Sequence, residues 1–203
     1  PEVERHPIAG GRGGTSSVQT PRGRVVLRPY RRGGAVRWLG STFFGFRPRP
    51  FREFWTLLSA WRRGLPVVEP VAAIVERGLG PVYRGWLVTI EVSGAEPLSQ
   101  WIRTHPVGAA IAPLAAGLRR IHGAGLRHPD LNLGNVLVRE GPSLLFLDFD
   151  RARLEGRPLG DSHRRSALRR LRRSARKLDP EGAAFPEAEL DRLESLYWSG
   201  SDS

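Results

Sequence analysis

The chain has 203 residues, of which 40% are hydrophobic and 26% are charged, so it can fold around a buried core. It contains no cysteine, which excludes disulfides, thiolate metal sites and cysteine nucleophiles. The formal net charge of +12 favours anionic partners such as a nucleotide, a nucleic acid, a phosphorylated sugar or an anionic lipid. No apolar run approaches the roughly 20 residues that span a bilayer, and PEVERHPIAGG lacks the apolar core of a signal peptide. We therefore expect a cytosolic protein, with a position at a membrane surface left open.

The first half of the chain is expected to be rich in β-strands, with one helix. Glycine clusters alternate with β-branched runs over residues 10–30, where Pro21-Arg22-Gly23 is typical of a turn. VVEPVAAIVERG and YRGWLVTIEV are predicted strands. Residues 51–65 are a predicted helix that ends at Gly64. Its apolar face is predicted to consist of Phe51, Phe54, Trp55, Leu58 and Trp61.

The second half is expected to be mainly helical, with a short hairpin. Residues 107–123 predict a long, mostly buried helix despite Pro113. SLLFLDFD predicts a strand, and residues 161–178 predict an arginine-rich helix with Asp161 or Ser162 as its N-cap. The fold class is therefore α+β, with the connection between the halves at about residues 88–97.

The stretch HPDLNLGNVLV, residues 128–138, carries the main chemical signal. His128, Asp130 and Asn135 have the offsets of the kinase catalytic loop, H-x-D-L-x-x-x-N. In that pattern the aspartate accepts the proton of an attacking hydroxyl, and the asparagine offers an amide oxygen to magnesium. Asp148, in the following LDFD, offers a carboxylate to the same metal. Asp130 is the candidate base, and Asn135 and Asp148 are the candidate metal ligands. The alternative is a polar turn with a surface hairpin.

A weaker nucleotide signal lies near the N-terminal end of the chain. GRGGTSSV fits G-x-G-x-x-G-x-V, with Ser16 at the third glycine, and the backbone N–H groups of such a turn can cradle phosphates. The candidate contacts are Gly11, Gly13 and Gly14, with Arg12 as an added cation.

The cation expected on the next strand is an arginine. Arg28 in VVLR stands where a kinase has the lysine of V-A-I-K, and the single lysine of this chain is Lys177. A guanidinium can also contact phosphate, through its planar fork. Glu53 in FREFW is the expected partner of Arg28; the alternative for Glu53 is an exposed helix carboxylate beside Arg52.

Other polar residues near these motifs have structural interpretations. Asp150 replaces the glycine of D-F-G and is either a turn residue, solvated or paired with arginine, or an added metal contact. Glu91 lies in the segment expected to contact adenine, where such contacts use the backbone. His122 is expected to end a buried helix, and His128 to orient its loop by hydrogen bonds. The tryptophans are expected to be core or lobe-packing residues.

Residues 10–178 contain four narrower motifs, LRPYRRGG, FREFWTLL, DLNLGN and DFDRARL. With these motifs the chain resembles the lipopolysaccharide kinase group and, within it, the 3-deoxy-D-manno-octulosonic acid (Kdo) kinases. The resemblance implies a two-lobed protein-kinase-like fold with a reduced helical C-lobe, the lobes being residues 1–92 and 93–203. It implies that the protein phosphorylates a Kdo hydroxyl on a lipid A precursor, with ATP as the phosphoryl donor and Mg²⁺ as a cofactor. The implied location is the cytoplasmic face of the inner membrane. Pro129, where arginine is usual, and Arg28 depart from the kinase pattern.

Two further features bear on the acceptor. The short stretch after Asp148 contains no A-P-E signature, which favours a small-molecule or glycolipid acceptor over a peptide. In residues 164–177 eight of 14 residues are basic, which predicts contact of helix 161–178 with an anionic membrane surface. Its apolar face is Leu168, Leu171, Ala175 and Leu178. The helix could equally neutralise lipid A phosphates, or be solvated and packed on the protein by its leucines.

Two other functions stay open. One is a different kinase-fold enzyme, such as a heptose kinase or an antibiotic phosphotransferase. The other is a non-catalytic basic protein that binds RNA or anionic lipid on a degenerate kinase fold. The missing lysine favours the second, whereas the intact set of Asp130, Asn135 and Asp148 argues against it. No specific nucleic acid is expected as a partner.

Overall fold

The computed structural model describes residues 5–7, 14–21, 23–30, 43–44, 48–139, 141 and 143–200. It is an α+β protein, as predicted. The backbone forms two compact units, the first made of Pro1–Leu58 with Val68–Glu91 and the second of Ser59–Val67 with Val92–Ser203.

The first unit is built on an antiparallel sheet. Strands β1 (Arg5–Pro7), β2 (Ser16–Thr20) and β3 (Gly23–Pro29) are successive neighbours, and β3 pairs with β6 (Val82–Ile90). Both β4 (Phe43–Phe44) and β5 (Pro70–Arg77) also pair with β6. The central strand β6 thus holds the sheet together, and its Tyr83, Leu87 and Val88 are buried.

Helix α1 (Arg49–Arg62) overlaps the predicted segment 51–65 but begins two residues before it, and the predicted apolar face is wrong. Its buried positions include Glu53, Leu57 and Ala60, whereas Phe51, Trp55 and Trp61 are 41%, 60% and 40% exposed. The assignment of Trp55 and Trp61 to the core is therefore also wrong.

Two contacts explain why α1 turns this way. The helix lies so close to β6 that a Cβ on Gly85 would be 2.3 Å from Cγ of Pro50. Glu53 points inward because it has buried hydrogen-bonding partners there, which a bulky aromatic face would displace. Periodicity identifies an apolar face but does not show that a polar contact overrides it.

The second unit is centred on helix α3 (Gly108–Gly123), which confirms the predicted buried helix. It packs against α5 (Glu187–Ser199), and Ile111, Leu114 and Ile121 are almost fully buried. At Gly117 a Cβ would lie 3.2 Å from the ring of Phe146, so α3 also lies close to the strand that carries this phenylalanine.

Two small sheets accompany these helices. One joins β7 (Glu96–Pro97), β9 (Val136–Arg139) and β10 (Ser143–Phe146), and a short α2 (Leu98–Trp101) follows β7. The other is the pair β8 (Leu126–Arg127) and β11 (Arg153–Leu154). The predicted strand through Asp150 is wrong beyond Phe146, because Asp148 has a φ of 63°, which ends extended pairing.

The arginine-rich helix α4 (Asp161–Leu178) has the predicted bounds. Its N-cap is Gly160, without a side-chain hydrogen bond, so the predicted cap at Asp161 or Ser162 is wrong. Its buried side chains are Ala167, Leu168, Leu171 and Ala175, whereas Leu178, which the sequence placed on the same apolar face, is 36% exposed. None of the helices in the described part of the chain is long and apolar enough to cross a membrane.

One buried polar pair joins α3 to α5. Nδ1 of His122 lies 2.8 Å from the hydroxyl of Tyr197, and both side chains are buried. Burial, with the nearby charges of Arg164 and Arg170, lowers the pKa of His122 to about 4. Burial raises the pKa of Tyr197 to about 12. The imidazole is therefore neutral at pH 7, and its Nδ1 shares a hydrogen bond with the hydroxyl of Tyr197.

This pair predicts a loss of stability in acid. Between pH 6.5, the ordinary pKa of histidine, and about 4, the unfolded chain binds a proton that the folded His122 does not. The contribution of neutral His122 to the free energy of unfolding is fully present above pH 6.5 and is lost as the pH falls toward about 4. We expect the free energy of unfolding to fall by about 2 kcal/mol more between pH 7 and pH 5 in the wild type than in His122→Gln. Urea denaturation at both pH values measures the difference.

The matched control for this test is His105→Gln, which removes an exposed histidine from the same unit. We expect it to keep the wild-type difference between pH 7 and pH 5. Equal pH dependence in the wild type and His122→Gln would contradict the assignment of a neutral His122.

Candidate active site

The loop that joins β8 to β9 is shaped by its own asparagines. Nδ2 of Asn132 and Nδ2 of Asn135 both donate to the backbone carbonyl of Asp130, at 2.8 and 2.9 Å. Oδ1 of Asn132 in turn accepts from the backbone N–H of Gly134 at 2.9 Å, in a short 3₁₀ turn at Leu133–Asn135. These bonds fix the backbone of Asp130 without using its carboxylate.

The carboxylate of Asp130 is accessible to a substrate. Its side chain is 43% exposed, and its Oδ1 lies 3.6 Å from Nη1 of Arg151, which is itself exposed. An exposed carboxylate on a fixed backbone can reach the proton of an incoming hydroxyl, as general-base catalysis requires.

Asn135 and Asp148 are brought close together by a backbone bond. The N–H of Leu147 donates to the carbonyl of Asn135 at 2.9 Å, so Asp148 follows directly after a residue held to Asn135. Among the described residues, Asp148 is the one non-glycine with a positive φ. Such strained backbone is concentrated at functional sites.

The donors at this point fit magnesium. Because Nδ2 of Asn135 donates to Asp130, its Oδ1 remains as an acceptor, next in the fold to a carboxylate. Mg²⁺ prefers oxygen ligands and is commonly held by one or two carboxylates together with phosphates and water. The described residues contain no group of three or more histidine, cysteine, aspartate and glutamate side chains that could enclose a metal.

His128 links the two loops, which is the structural role predicted for it. Its Nε2 lies 2.7 Å from the carbonyl of Leu147 and therefore carries the proton. Its ring contacts Phe149 edge to face at 5.1 Å. Burial lowers the pKa of His128, so the imidazole is neutral.

Helix α4 provides side chains that hold the catalytic loop, in which Pro129 stands where an arginine is usual. Nη2 of Arg170 donates to the carbonyl of His128 at 3.3 Å, and Oγ of Ser174 accepts from the N–H of Leu133 at 3.2 Å. Neither residue was predicted from the sequence. Their spacing of four along a helix was the available signal, but it does not say what the helix contacts.

The first unit contains the cation predicted on β3. Nη2 of Arg28 lies 2.5 Å from Oε1 of Glu53, and the hydroxyl of Tyr30 donates to the other carboxylate oxygen. Glu53 is 1% exposed, so its interpretation as an exposed helix carboxylate is wrong. The guanidinium of Arg28 also lies over the ring of Tyr30, 5.2 Å from its centroid, and the side chain stays 31% exposed.

The structure describes only some of the other predicted positions. Gly11, Arg12 and Gly13 lie outside the described residues. Gly14 has a φ of 87° just before β2. The side chain of Glu91 accepts a hydrogen bond from Ser17 and lies 3.5 Å from Nε of Arg24. Asp150 is a half-buried turn residue after Phe149.

The family model and the related sequences that match this chain all point to one family. The model of the lipopolysaccharide kinase (Kdo/WaaP) family matches residues 7–197. A 3-deoxy-D-manno-octulosonic acid kinase of Xylella fastidiosa is 34% identical over 203 residues, which cover 96% of this chain and 80% of that protein. A kinase of the same name from Xanthomonas oryzae pv. oryzae is 39% identical over 178 residues, covering 83% of this chain and 68% of that protein. One from Vibrio cholerae is 31% identical over 174 residues, covering 83% and 72%.

Comparison with solved structures supports the fold. The structure of WaaP in complex with acyl carrier protein matches with a TM-score of 0.53 at 17% identity, over 96% of this chain and 90% of that one. This likeness confirms the predicted kinase-like α+β fold. With a family match across most of its length and kinases more than 30% identical to it, the chain belongs to the lipopolysaccharide kinase (Kdo/WaaP) family and is a phosphotransferase with a hydroxyl acceptor.

Proposed function

We propose that the protein transfers the γ-phosphoryl group of ATP to a hydroxyl of a Kdo sugar on a lipid A precursor, during synthesis of the lipopolysaccharide core. The observation that carries this proposal is the hydrogen-bonded set of Asp130, Asn135 and Leu147, which precedes Asp148. The names of the relatives support the choice of acceptor.

Asp130 is the proposed base. It accepts the proton of the acceptor hydroxyl as that oxygen forms its bond to the γ-phosphorus and the bond to the β-phosphate oxygen breaks, releasing ADP. Phosphoryl transfer depends mainly on positioning, and the two asparagine amides hold the backbone of Asp130 in place.

Asn135 and Asp148 are the residues that would hold Mg²⁺. When bound, the ion neutralises charge on the nucleotide phosphates. The adjacent amide and carboxylate oxygens match the ligands that this ion takes.

Arg28 is the proposed phosphate contact of the first unit. Glu53 orients one edge of its guanidinium, and the exposed remainder can donate to a phosphate at the same time. Gly11, Gly13 and Gly14, with Arg12, would cradle phosphates through backbone N–H groups. We accordingly assign the nucleotide-covering part to residues 1–92 and the catalytic part to residues 93–203.

We further propose that the protein works at the cytoplasmic face of the inner membrane, bound to anionic lipid. Arg169, Arg173 and Lys177 recur every fourth residue on α4, are exposed, and form no ion pair with a described residue. Leu168 and Leu171 are buried, and Leu178, the last residue of α4, is the one leucine of this helix that is exposed, so α4 would bind a surface mainly by charge. The exposed Trp55 of α1 has the side-chain type found at membrane interfaces.

Replacement of the proposed base tests the reaction. We expect Asp130→Asn to lower kcat for transfer from ATP to a Kdo-bearing lipid A precursor by about 10²- to 10⁴-fold, because the acceptor hydroxyl loses its base. Transfer of radiolabelled phosphate with magnesium present measures this. Asp161→Asn, at an exposed carboxylate of α4, is the control and should keep wild-type activity. Undiminished transfer by Asp130→Asn would reject the assignment; ATP binding without any transfer by the wild type would reject the acceptor.

Two substitutions separate the charge of Arg28 from its shape. Arg28→Lys keeps a cation opposite Glu53 and a phosphate donor, so we expect the KM for ATP to stay within a few fold of the wild type. Arg28→Gln removes the cation, and we expect the KM for ATP to rise about tenfold or more, as charge-assisted hydrogen bonds are lost. Thermal unfolding of each variant shows whether the buried Glu53 has been left without its partner. Equal KM values in all three proteins would contradict a phosphate role for Arg28.

Sedimentation with lipid vesicles tests the membrane proposal. We expect binding to vesicles that contain anionic lipid, with a loss of about fivefold in affinity for each of Arg169→Gln and Lys177→Gln, since one cation near such a surface contributes about 1 kcal/mol. High salt should release the protein. Arg176→Gln is the control, because Arg176 pairs with Glu187. Binding to neutral vesicles with equal affinity would exclude this mode of attachment.

A further inference from the structure

Two arginines face each other across the small sheet beside the catalytic loop. In the antiparallel pair β8–β11, Arg127 is the direct partner of Arg153. Both are exposed, and neither side chain forms an ion pair or hydrogen bond with a described residue. Like charges directly opposite each other destabilise a β-ladder. The fold therefore retains an unfavourable pair immediately before His128.

A third arginine of this region, Arg170 of α4, forms no ion pair with a described carboxylate. It donates through Nη2 to the carbonyl of His128, the residue that follows Arg127, and through Nη1 to Oγ of Ser166 at 2.9 Å. Its Nε is buried without a hydrogen-bond partner among the described residues. Burial lowers the pKa of Arg170, and the charge of Arg127 lowers it further, while Asp130 acts in the opposite sense.

The carboxylate of Asp130 pairs with an arginine outside this group. The described structure gives the carboxylate of Asp130 one ion pair, with Arg151, at 3.6 Å. Asp130 therefore does not form a salt bridge with Arg127, Arg153 or Arg170. The charges of these three arginines are therefore not paired by Asp130.

On the face of α4 that contacts α5, the arginines form ion pairs with carboxylates. Arg172 and Arg176 face α5 and are matched by its acidic residues Glu187, Asp191 and Glu194. Arginines that serve the packing of α4 are thus paired with carboxylates. Those on β8 and β11 are not, so packing does not account for them.

We propose that Arg127, Arg153 and Arg170 form an anion-binding subsite that holds an acidic group of the acceptor close to Asp130. A guanidinium binds a carboxylate or a phosphate through two parallel hydrogen bonds, and three of them would favour an acceptor that carries such a group over a neutral sugar. That the ligand is the acceptor rests on the proposed function; that the cluster binds an anion does not.

The cluster has a stability signature that does not depend on the substrate. Because Arg127 and Arg153 repel each other, removing one charge should stabilise the protein while weakening anion binding. We expect Arg153→Gln to raise the melting temperature in low-salt buffer without phosphate. Inorganic phosphate should raise the melting temperature of the wild type and have little effect on that of Arg153→Gln.

The controls use the full chain in the same assay. Arg176→Gln removes an equal charge from the α5 side of α4 and should keep the wild-type response to phosphate. Sodium chloride at matched ionic strength separates binding from screening. An equal phosphate response in the wild type and Arg153→Gln, or an equal response of the wild type to chloride, overturns the subsite.

Kinetics identify the acidic group. Arg153→Gln should raise the KM for the glycolipid acceptor by about tenfold or more and leave the KM for ATP unchanged, as expected when a charge-assisted contact to the acceptor is lost. Two modified acceptors, one with its carboxylate esterified and one with its phosphate removed, show which group is bound. For the acceptor that lacks the group bound by the cluster, the wild type and Arg153→Gln should have the same KM. If the substitution raises the KM equally for all three acceptors, or does not raise it for the intact one, the acceptor role is wrong.

Failure of the proposed function gives a different result. In that case the wild type transfers no phosphate to the Kdo acceptor, while the phosphate-dependent rise in melting temperature is still lost in Arg153→Gln. This outcome would keep the anion subsite and redirect the search to another acidic acceptor.

Discussion

Leu147 is the residue on which the candidate site depends, because both of its backbone polar groups are used to join two loops. Its carbonyl accepts from Nε2 of His128 at 2.7 Å, and its N–H donates to the carbonyl of Asn135 at 2.9 Å. His128 is buried and neutral, so the bond forms where water does not compete. The loop of Asp130 and the loop of Asp148 are thereby held as one piece.

Buried polar groups also determine the packing of the helices. Glu53 decides which face of α1 is buried, since a carboxylate removed from water must keep its hydrogen bonds to Arg28 and Tyr30. His122 and Tyr197 join α3 to α5 in the same manner. In each case the cost of burying an unpaired polar group is larger than the gain from burying one more apolar side chain, so the polar contact sets the orientation.

Helix α4 shows how one basic helix serves several purposes. Leu168 and Leu171 pack inward, and Arg172 and Arg176 pair with α5. Arg170 and Ser174 hold the catalytic loop, which lacks an arginine at Pro129. Because successive residues of a helix point about 100° apart, a single arginine-rich stretch presents different charges to the core, to a neighbouring helix and to the loop.

The sequence by itself determined the parts of this protein that depend on short spacing. The offsets among His128, Asp130 and Asn135 indicate the catalytic loop because these residues act within one turn, and periodicity sufficed to find α3 and α4. Tertiary structure alone decided which face of α1 is buried, which residues brace the loop, and that Arg127 stands opposite Arg153. Those contacts join residues far apart in the chain, and their energies depend on burial and on partners that no local pattern records.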